Sequence, residues 1–216
     1  MPILNVKNLE IGYSDSNAKF HIAVNGINFS VNKGETIGIV GESGCGKSTV
    51  ARALMGYLRP GGKIIGGEVS LSGISVLDMS AEALQSIRGR AVAIVPQNPL
   101  SSLTYHMTVG KQVNEILRTH RGMTTIEAHD ESLRLFRDTL LPEPKAIYDR
   151  YPHQISGGQR QRIVIAAALA CKPALMILDE PTTALDAHTQ KAILAQLKKL
   201  QQHHSMAIVL VTHDLC

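Results

Sequence analysis

Residues 41–48 read Gly-Glu-Ser-Gly-Cys-Gly-Lys-Ser, and they constrain this chain more than any other stretch. The spacing G-x-x-x-x-G-K-[ST] is typical of a loop whose backbone N–H groups surround phosphate oxygens. Apolar and small residues at 37–40 precede the loop like a buried strand, and residues 50–55 continue it with helical spacing. A strand, a glycine loop and a helix are the context that a phosphate-binding loop needs, so a chance match is the weaker interpretation.

Each residue type in this loop has a chemical reason to be there. Glycines let successive N–H groups point inward, and the helix that follows adds an N-terminal partial charge of about +0.5. Lys47 supplies a mobile full charge for the β- and γ-phosphates, and the Ser48 hydroxyl can ligate Mg²⁺. The predicted phosphate site consists of Gly41, Glu42, Ser43, Gly44, Cys45, Gly46, Lys47, Ser48 and Thr49.

The composition excludes several classes of protein. The chain has 216 residues, of which 44% are hydrophobic and 19% charged, so it is globular and long enough for one sizeable core. Its net charge of +4 comes without a basic block, which favours a solvated surface over a nucleic-acid partner. No apolar run approaches the roughly 18 residues of a membrane span, so any membrane role is expected to be peripheral. Three widely spaced cysteines indicate a reducing compartment.

Alternating strand and helix patterns predict an α/β fold with a P-loop NTPase core, in which helices flank a mostly parallel sheet. Strand-like runs in the first 77 residues add an antiparallel β flank. In that flank, a strand at 68–77 is expected to be bounded by Gly66, Gly67 and Gly73, because glycine commonly interrupts strands.

A change of character at residues 108–150 predicts an inserted α-helical subdomain. This stretch is polar and helical, with Leu133, Phe136 and Leu140 expected on one face. We therefore expect one domain over residues 1–216, with its core at 1–100 and 157–216 and the helical subdomain at about 101–156.

Polar side chains follow three of the predicted core strands. Open α/β sheets bind ligands at the carboxyl ends of their strands, where Gln97, Asp179, Glu180 and His213 are placed. Asp179 is positioned to hold Mg²⁺ through water, and Glu180 to orient and deprotonate a water molecule. Alone, Gln97 would be read as a solvated amide and His213 as a structural histidine. Their shared edge of the sheet favours a catalytic site instead.

The residues alone leave two interpretations possible for each of two further features. Tyr13, on a flanking strand, is equally compatible with stacking on an adenine and with an ordinary half-buried strand position. Ser156, Gly157 and Gly158 begin a helix, which makes either a second anion-receptive N-terminus or a simple capped helix.

The order of these motifs resembles the ATP-binding subunit of ABC transporters, and the resemblance covers nearly the whole chain. The matching motifs are a Walker A loop at 41–49, a Q-loop at Gln97, a signature at 156–159, a Walker B strand at 174–180, a D-loop at 184–186 and a switch histidine at His213.

The resemblance implies ATP and Mg²⁺ as ligands and assigns roles to single residues. Tyr13 is expected to stack on the adenine, Gln97 to sense Mg²⁺ and the attacking water, and His213 to contact the γ-phosphate. Ser156 and Gly158 are expected to act in trans, on ATP held by a partner subunit. Other implied nucleotide contacts are Gly157, Gln159 and Asp186, and the implied Mg²⁺ contacts are Ser48, Gln97 and Asp179.

Finer motifs look like those of the dipeptide, oligopeptide and nickel importers. They lie at 99–103, 107–110, 151–154 and 180–186. This implies an ATP-hydrolysing subunit that energises import of peptides or nickel and other metal complexes, peripheral at the cytoplasmic face of the inner or plasma membrane. Its implied partners are a second ATPase subunit in a homo- or heterodimer, two membrane permeases and an extracytoplasmic solute-binding protein, with no nucleic acid.

Two departures from that pattern and two competing functions accompany this interpretation. Ile155 stands where leucine is usual, and the sequence stops at Cys216, which suggests a truncated C-terminus. A soluble ABC ATPase acting on DNA or ribosomes would predict a long coiled-coil insertion or a tandem cassette, and this sequence has neither. A nucleotide-binding regulatory subunit with little turnover is disfavoured by Glu180 and His213.

Overall fold

The computed structural model describes residues 1–14, 19–181 and 187–213. The strands are β1 (Leu4–Ser14), β2 (Phe20–Val31), β3 (Thr36–Val40), β4 (Gly62–Leu71), β5 (Ile74–Ser75), β6 (Val92–Val95), β7 (Leu175–Asp179) and β8 (Ala207–Thr212). The helices are α1 (Lys47–Ala53), α2 (Ala81–Ile87), α3 (Val109–Arg121), α4 (Thr125–Asp138), α5 (Pro144–Tyr148), α6 (Gly157–Leu169) and α7 (Ala187–His204), with 3₁₀ turns at Pro99–Ser102 and Pro152–Gln154. Within the described ranges, no helix is both long enough and apolar enough to cross a membrane.

The described strands form two sheets of different kinds. One is antiparallel, in the order β2-β1-β4-β5, and the other is parallel, in the order β3-β8-β7-β6. The α/β prediction, with an antiparallel flank, is therefore confirmed. Because the four strands of the second sheet run in one direction, their carboxyl ends meet at a single edge.

The parallel sheet lies between two hydrophobic clusters, and the sequence of β7 shows why. Leu175 and Ile177 belong to a cluster with the antiparallel sheet and α1. Met176 and Leu178 belong to a second cluster with α3, α4 and α6. Successive strand residues point to opposite faces, so a continuous apolar run such as β7 packs on both sides at once. Each fully buried side chain of this kind stabilises the fold by roughly 1.5–3 kcal/mol.

The helices α3 and α4 lie where the helical insertion was predicted, and its division from the core stays a prediction. Leu133 and Phe136 share one face of α4 as expected, and both are buried there. The expectation for Leu140 is wrong, because α4 ends at Asp138. Leu140 then takes a left-handed backbone conformation with φ 58° and is 42% exposed, which removes it from the helix face.

The predicted strand at 68–77 is also corrected. Strand β4 begins at Gly62, passes through Gly66 and Gly67 and ends at Leu71. Gly67 has φ 91°, and a Cβ there would lie 2.2 Å from the backbone oxygen of Asn8. These glycines therefore allow β1 and β4 to approach closely at a register shift, and they do not mark the start of the strand.

An ion-pair network connects three helices on the second cluster. Glu131 of α4 accepts hydrogen bonds from Arg134, at 2.7 and 2.8 Å, and from Arg121 of α3, at 2.9 Å. Arg121 also donates to the backbone oxygen of Ala170, which follows α6. The hydrogen bonds from Arg134, with a smaller contribution from Arg121, lower the pKa of Glu131 to about 2 against the opposing effect of burial.

We expect Glu131→Gln to lower the free energy of unfolding by about 1–2 kcal/mol at neutral pH, after allowance for solvent screening at the half-exposed Arg134. The folded pKa of Glu131 lies below its ordinary value of 4.5, so the stabilisation is complete above about pH 4.5 and is lost as the pH falls towards 2. Urea unfolding at pH 7, 4 and 3 measures the difference. Glu115→Gln, at an exposed position on α3, is the matched control, and an equal loss at every pH would contradict the prediction.

Candidate active site

The loop between β3 and α1 has the backbone that a phosphate-binding loop requires. Gly44 and Gly46 take φ values of 86° and 97°, in the left-handed region that side chains disfavour. At Gly46 the space is also closed, because a Cβ there would lie 2.5 Å from the backbone oxygen of Ala23. The glycines identified in the sequence are therefore needed for the turn itself.

Lys47 is held inside this loop mainly by backbone oxygens, and its Nζ also lies 3.9 Å from the Sγ of Cys45. Its Nζ donates to the backbone oxygens of Gly41 at 2.6 Å and Glu42 at 2.7 Å, and the residue is only 7% exposed. In the part of the chain that the structure describes, no carboxylate lies within ion-pair distance of this ammonium group. A nearly buried cation without a counter-charge is costly, so the loop is electrostatically suited to an anion.

Ser48 and Asp179 bring two oxygen ligands together at the base of the loop. The Ser48 hydroxyl donates to Oδ1 of Asp179 at 2.9 Å, across 131 residues of sequence. Asp179 ends β7, whose five residues are all buried, and it is only 3% exposed. A hydroxyl and a carboxylate are the donor types that Mg²⁺ prefers, so this pair fits the predicted metal role.

Glu180 contacts side chains that follow the two strands on either side of β7. Its Oε2 accepts from Nε2 of Gln97 at 2.8 Å and lies 3.3 Å from Nδ1 of His213. Glu180 takes φ 50°, a strained conformation for a residue other than glycine, and its N–H donates to the backbone oxygen of Val211 at 2.9 Å. Strain of this kind, maintained by surrounding contacts, is characteristic of functional sites.

A cavity of about 320 Å³ lies against these groups, and two basic residues at it were not predicted. Arg52 had a sequence signal, since it follows Ser48 by one helical turn, and its Nη1 donates to the Ser48 backbone oxygen at 3.2 Å. Arg59, in the turn after α1, had none. The cavity is lined by Ser43, Gly44, Gly46, Lys47, Ser48, Thr49, Arg52, Arg59, Gln97 and Glu180.

Other predicted site residues lie outside this lining. The Tyr13 ring packs beside Gly62, and its buried hydroxyl has no hydrogen-bond partner among the described residues. Its stacking on adenine therefore stays a prediction. Asp186 lies outside the described residues.

The predicted signature begins α6, away from the lining of the cavity. The Ser156 Oγ accepts from the Gln159 N–H at 3.3 Å, and the Gln159 side chain accepts from the Ser156 N–H at 2.9 Å. This reciprocal capping box fixes the backbone of Gly157 and Gly158 at the first turn of the helix. The capped helix is thus present, and its role towards a nucleotide stays a prediction.

Comparison with known proteins identifies the family. Residues 24–183 match the sequence profile described as ABC transporter. The chain belongs to the ABC transporter family. The resemblance to this family, drawn from the order of the motifs, is confirmed.

Relatives within the ABC transporter family have names that agree with the peptide branch. The oligopeptide transport ATP-binding protein OppD of Escherichia coli K12 is 44% identical over 213 residues, which are 99% of this chain and 63% of OppD. The dipeptide transport ATP-binding protein DppD of the same organism is 41% identical over 215 residues, which are 100% of this chain and 65% of DppD. The chain therefore spans less than two thirds of the length of either relative.

A solved ABC transporter structure agrees with the fold described above. It is the dimeric, post-hydrolysis state of the ATP-binding cassette MJ0796 bound to ADP and Pi. Its TM-score is 0.88 at 32% identity, and the match covers 98% of this chain and 88% of MJ0796.

We expect Lys47→Ala to abolish binding of a fluorescent ATP analogue, because it removes the cation held inside the loop. Equilibrium titration measures the affinity, and circular dichroism checks that the variant is folded. Lys111→Ala, at an exposed position on α3, removes the same charge away from the cavity and should bind normally. Unchanged affinity in a folded Lys47→Ala protein would refute the nucleotide assignment.

Proposed function

We propose that this chain binds and hydrolyses MgATP to energise an ABC importer. The observation that carries the proposal is that the phosphate loop and the ends of β6, β7 and β8 meet at one edge of the parallel sheet. Three groups lie around one cavity there. They are a cation held inside the loop, a pair of oxygen ligands suited to a metal, and a carboxylate contacted by two neighbouring side chains. The names of the peptide-transport relatives support the same function.

The phosphates of ATP are bound, in this proposal, by the loop N–H groups and by Lys47. The guanidinium groups of Arg52 and Arg59 add positive charge to the wall of the cavity. Ser48 and Asp179 would hold Mg²⁺, with Gln97 beside them. When bound, Mg²⁺ neutralises phosphate charge that develops during transfer.

Glu180 is the general base. It orients a water molecule towards the γ-phosphorus and takes its proton as the new P–O bond forms. The bond to the β-phosphate oxygen then breaks, and ADP leaves with that oxygen's electron pair. Gln97 and His213 hold the carboxylate on Oε2, so the base is oriented before the water arrives. His213 also faces the γ-phosphate in this arrangement.

The active unit is a dimer that encloses the nucleotide. The chain supplies one phosphate loop, and the Ser156 capping box presents a second set of N–H donors away from it. These donors serve the ATP of a partner subunit, where they complete the site and exclude water. The dimeric form of the MJ0796 cassette supports this arrangement.

The names of the relatives, which are transport ATP-binding proteins, support the remaining partners of this proposal. Peptides are the transported solutes most consistent with their names, and nickel stays the alternative. The subunit lies at the cytoplasmic face of the membrane on two permeases, which receive the solute from an extracytoplasmic binding protein.

We expect Glu180→Gln to slow hydrolysis by about 10²–10⁴-fold while ATP stays bound, because only the proton acceptor is lost. A phosphate-release assay measures the rate. Size-exclusion chromatography with light scattering should then show an ATP-dependent dimer, with itself or with a paralogous subunit.

Addition of Ser156→Arg tests the cross-chain donors in the same background. The bulky cation blocks the N-terminus of α6, so the double variant should return to monomers. A double variant that dimerises as well as Glu180→Gln alone would rule out the role proposed for 156–158.

Cysteine cross-linking tests the membrane partner. Ser101 and Ser102 are exposed in the 3₁₀ turn that follows Gln97. Because Gln97 contacts Glu180, a displacement of Glu180 would be transmitted through this turn to the surface. A cysteine at either position should cross-link to a cytoplasmic loop of a permease in the assembled complex. The unsubstituted chain gives the background from native cysteines, and a cysteine at exposed Glu68 on the antiparallel sheet should give no more than that. Failure at both serines would count against docking here.

A further inference from the structure

Three aromatic rings stack on the surface between two segments that are distant in sequence. The ring centroids of Tyr105 and His153 are 5.2 Å apart with planes at 25°, and those of Tyr151 and His153 are 5.6 Å apart at 14°. Both geometries lie in the range of attractive offset stacking. His153 is thus held between two tyrosines, one from each segment.

The segment that carries Tyr105 is fixed with respect to Gln97. Gln112 of α3 binds this loop through three hydrogen bonds of 2.8–2.9 Å, to both backbone groups of Thr104 and to the Met107 oxygen. The 3₁₀ turn Pro99–Ser102 joins the loop to Gln97. The Asn98 side chain caps that turn by accepting from the Leu100 N–H at 3.0 Å. A short segment, held in place by these hydrogen bonds, therefore connects Tyr105 to the Gln97–Glu180 contact.

The segment that carries His153 is fixed with respect to α6. Arg160 Nε donates to the backbone oxygen of Pro152 at 2.7 Å. The Gln154 side chain accepts from the Tyr151 N–H at 2.9 Å. Two residues further on, Ser156 forms the capping box of α6. A short hydrogen-bonded segment therefore connects His153 to the proposed cross-chain donors at the start of α6.

We propose that His153 is a positioning residue that fixes the first turn of α6 relative to the Gln97 segment. The inference rests on the proposed function, since it gives the stack a purpose only if 156–158 serve a partner's ATP. A shift at Gln97, when the γ-phosphate appears or leaves, is passed through Tyr105 and the imidazole ring to Ser156. The stack thus links the proposed catalytic carboxylate to the donors that close the other chain's site.

Exposure of the stack favours positioning over stability. Tyr105 is 61% and Tyr151 37% exposed, and neither ring belongs to the two hydrophobic clusters described above. One backbone hydrogen bond also joins the segments, from the Val109 N–H to the Arg150 oxygen at 2.9 Å. Val109 also packs in the same hydrophobic cluster as Ile147 and Ile155, so the stacked rings add an outer contact to segments that are already packed on their inner side.

Hydrogen exchange at the Val109 amide tests the link without nucleotide or dimer. His153→Ala should speed this exchange roughly 3- to 10-fold, the effect of losing aromatic pairs, while His153→Phe should restore it. His106→Ala is the matched control, because this exposed neighbour of Tyr105 is in none of the ring stacks found among the described residues. The Gly122 amide, bonded to Arg118 elsewhere in the helical segment, should not change in any variant. Equal exchange at Val109 in His153→Ala and His106→Ala would overturn the inference.

A second measurement connects the stack to assembly. In the Glu180→Gln background, His153→Ala should weaken the ATP-dependent dimer roughly 3- to 10-fold, with affinity for ATP and the thermal unfolding midpoint unchanged. His153→Phe should dimerise like its parent. If the parent itself forms no dimer, the proposed dimeric function fails, and the Val109 exchange still decides whether the stack fixes the two segments. If His153→Ala weakens the dimer and also lowers the thermal unfolding midpoint, the residue has a structural role and the proposal is overturned.

Discussion

The parallel register of β3, β8 and β7 is the constraint on which the site depends. Val40 pairs with Thr212, and Asp179 pairs with Val211, so the residues that follow these strands begin at nearly the same level. A shift of one residue in β7 would turn the buried face of Leu175 and Ile177 to the opposite cluster and would also move Asp179 away from Ser48. The two hydrophobic clusters therefore fix the chemistry, because each of them resists that shift.

Local signals in the sequence predicted the parts of the structure that are set locally. The phosphate loop required glycine at given positions, and the apolar strands required polar residues only at their ends. Ser80 is of a residue type that commonly caps helices, and its Oγ accepts from the Ala83 N–H at the start of α2. The strand-end residues met as predicted because the direction of parallel strands brings their ends together regardless of sequence separation.

Other features depended on contacts that no local pattern contains. The turn that places Arg59 at the cavity follows from where α1 ends, and the close approach of Asn8 to Gly67 follows from strand pairing. Leu140 fitted the helical period, yet the helix ended two residues earlier. The stack around His153 joins two loops through side chains alone, so neither loop predicts it by itself. Each of these features required the tertiary arrangement to be known.

The two carbonyl contacts of Lys47 bear on how readily a ligand exchanges. The loop stabilises its own cation without a ligand, because the oxygens of Gly41 and Glu42 accept hydrogen bonds from the ammonium group. A phosphate that pairs with this group must compete with both contacts, so its net binding energy is a difference between two sets of interactions. When the phosphate departs, both carbonyl oxygens can again accept hydrogen bonds from the ammonium group. The loop therefore holds a phosphate less tightly than an uncompensated ammonium group would, which suits a site that must release its ligand.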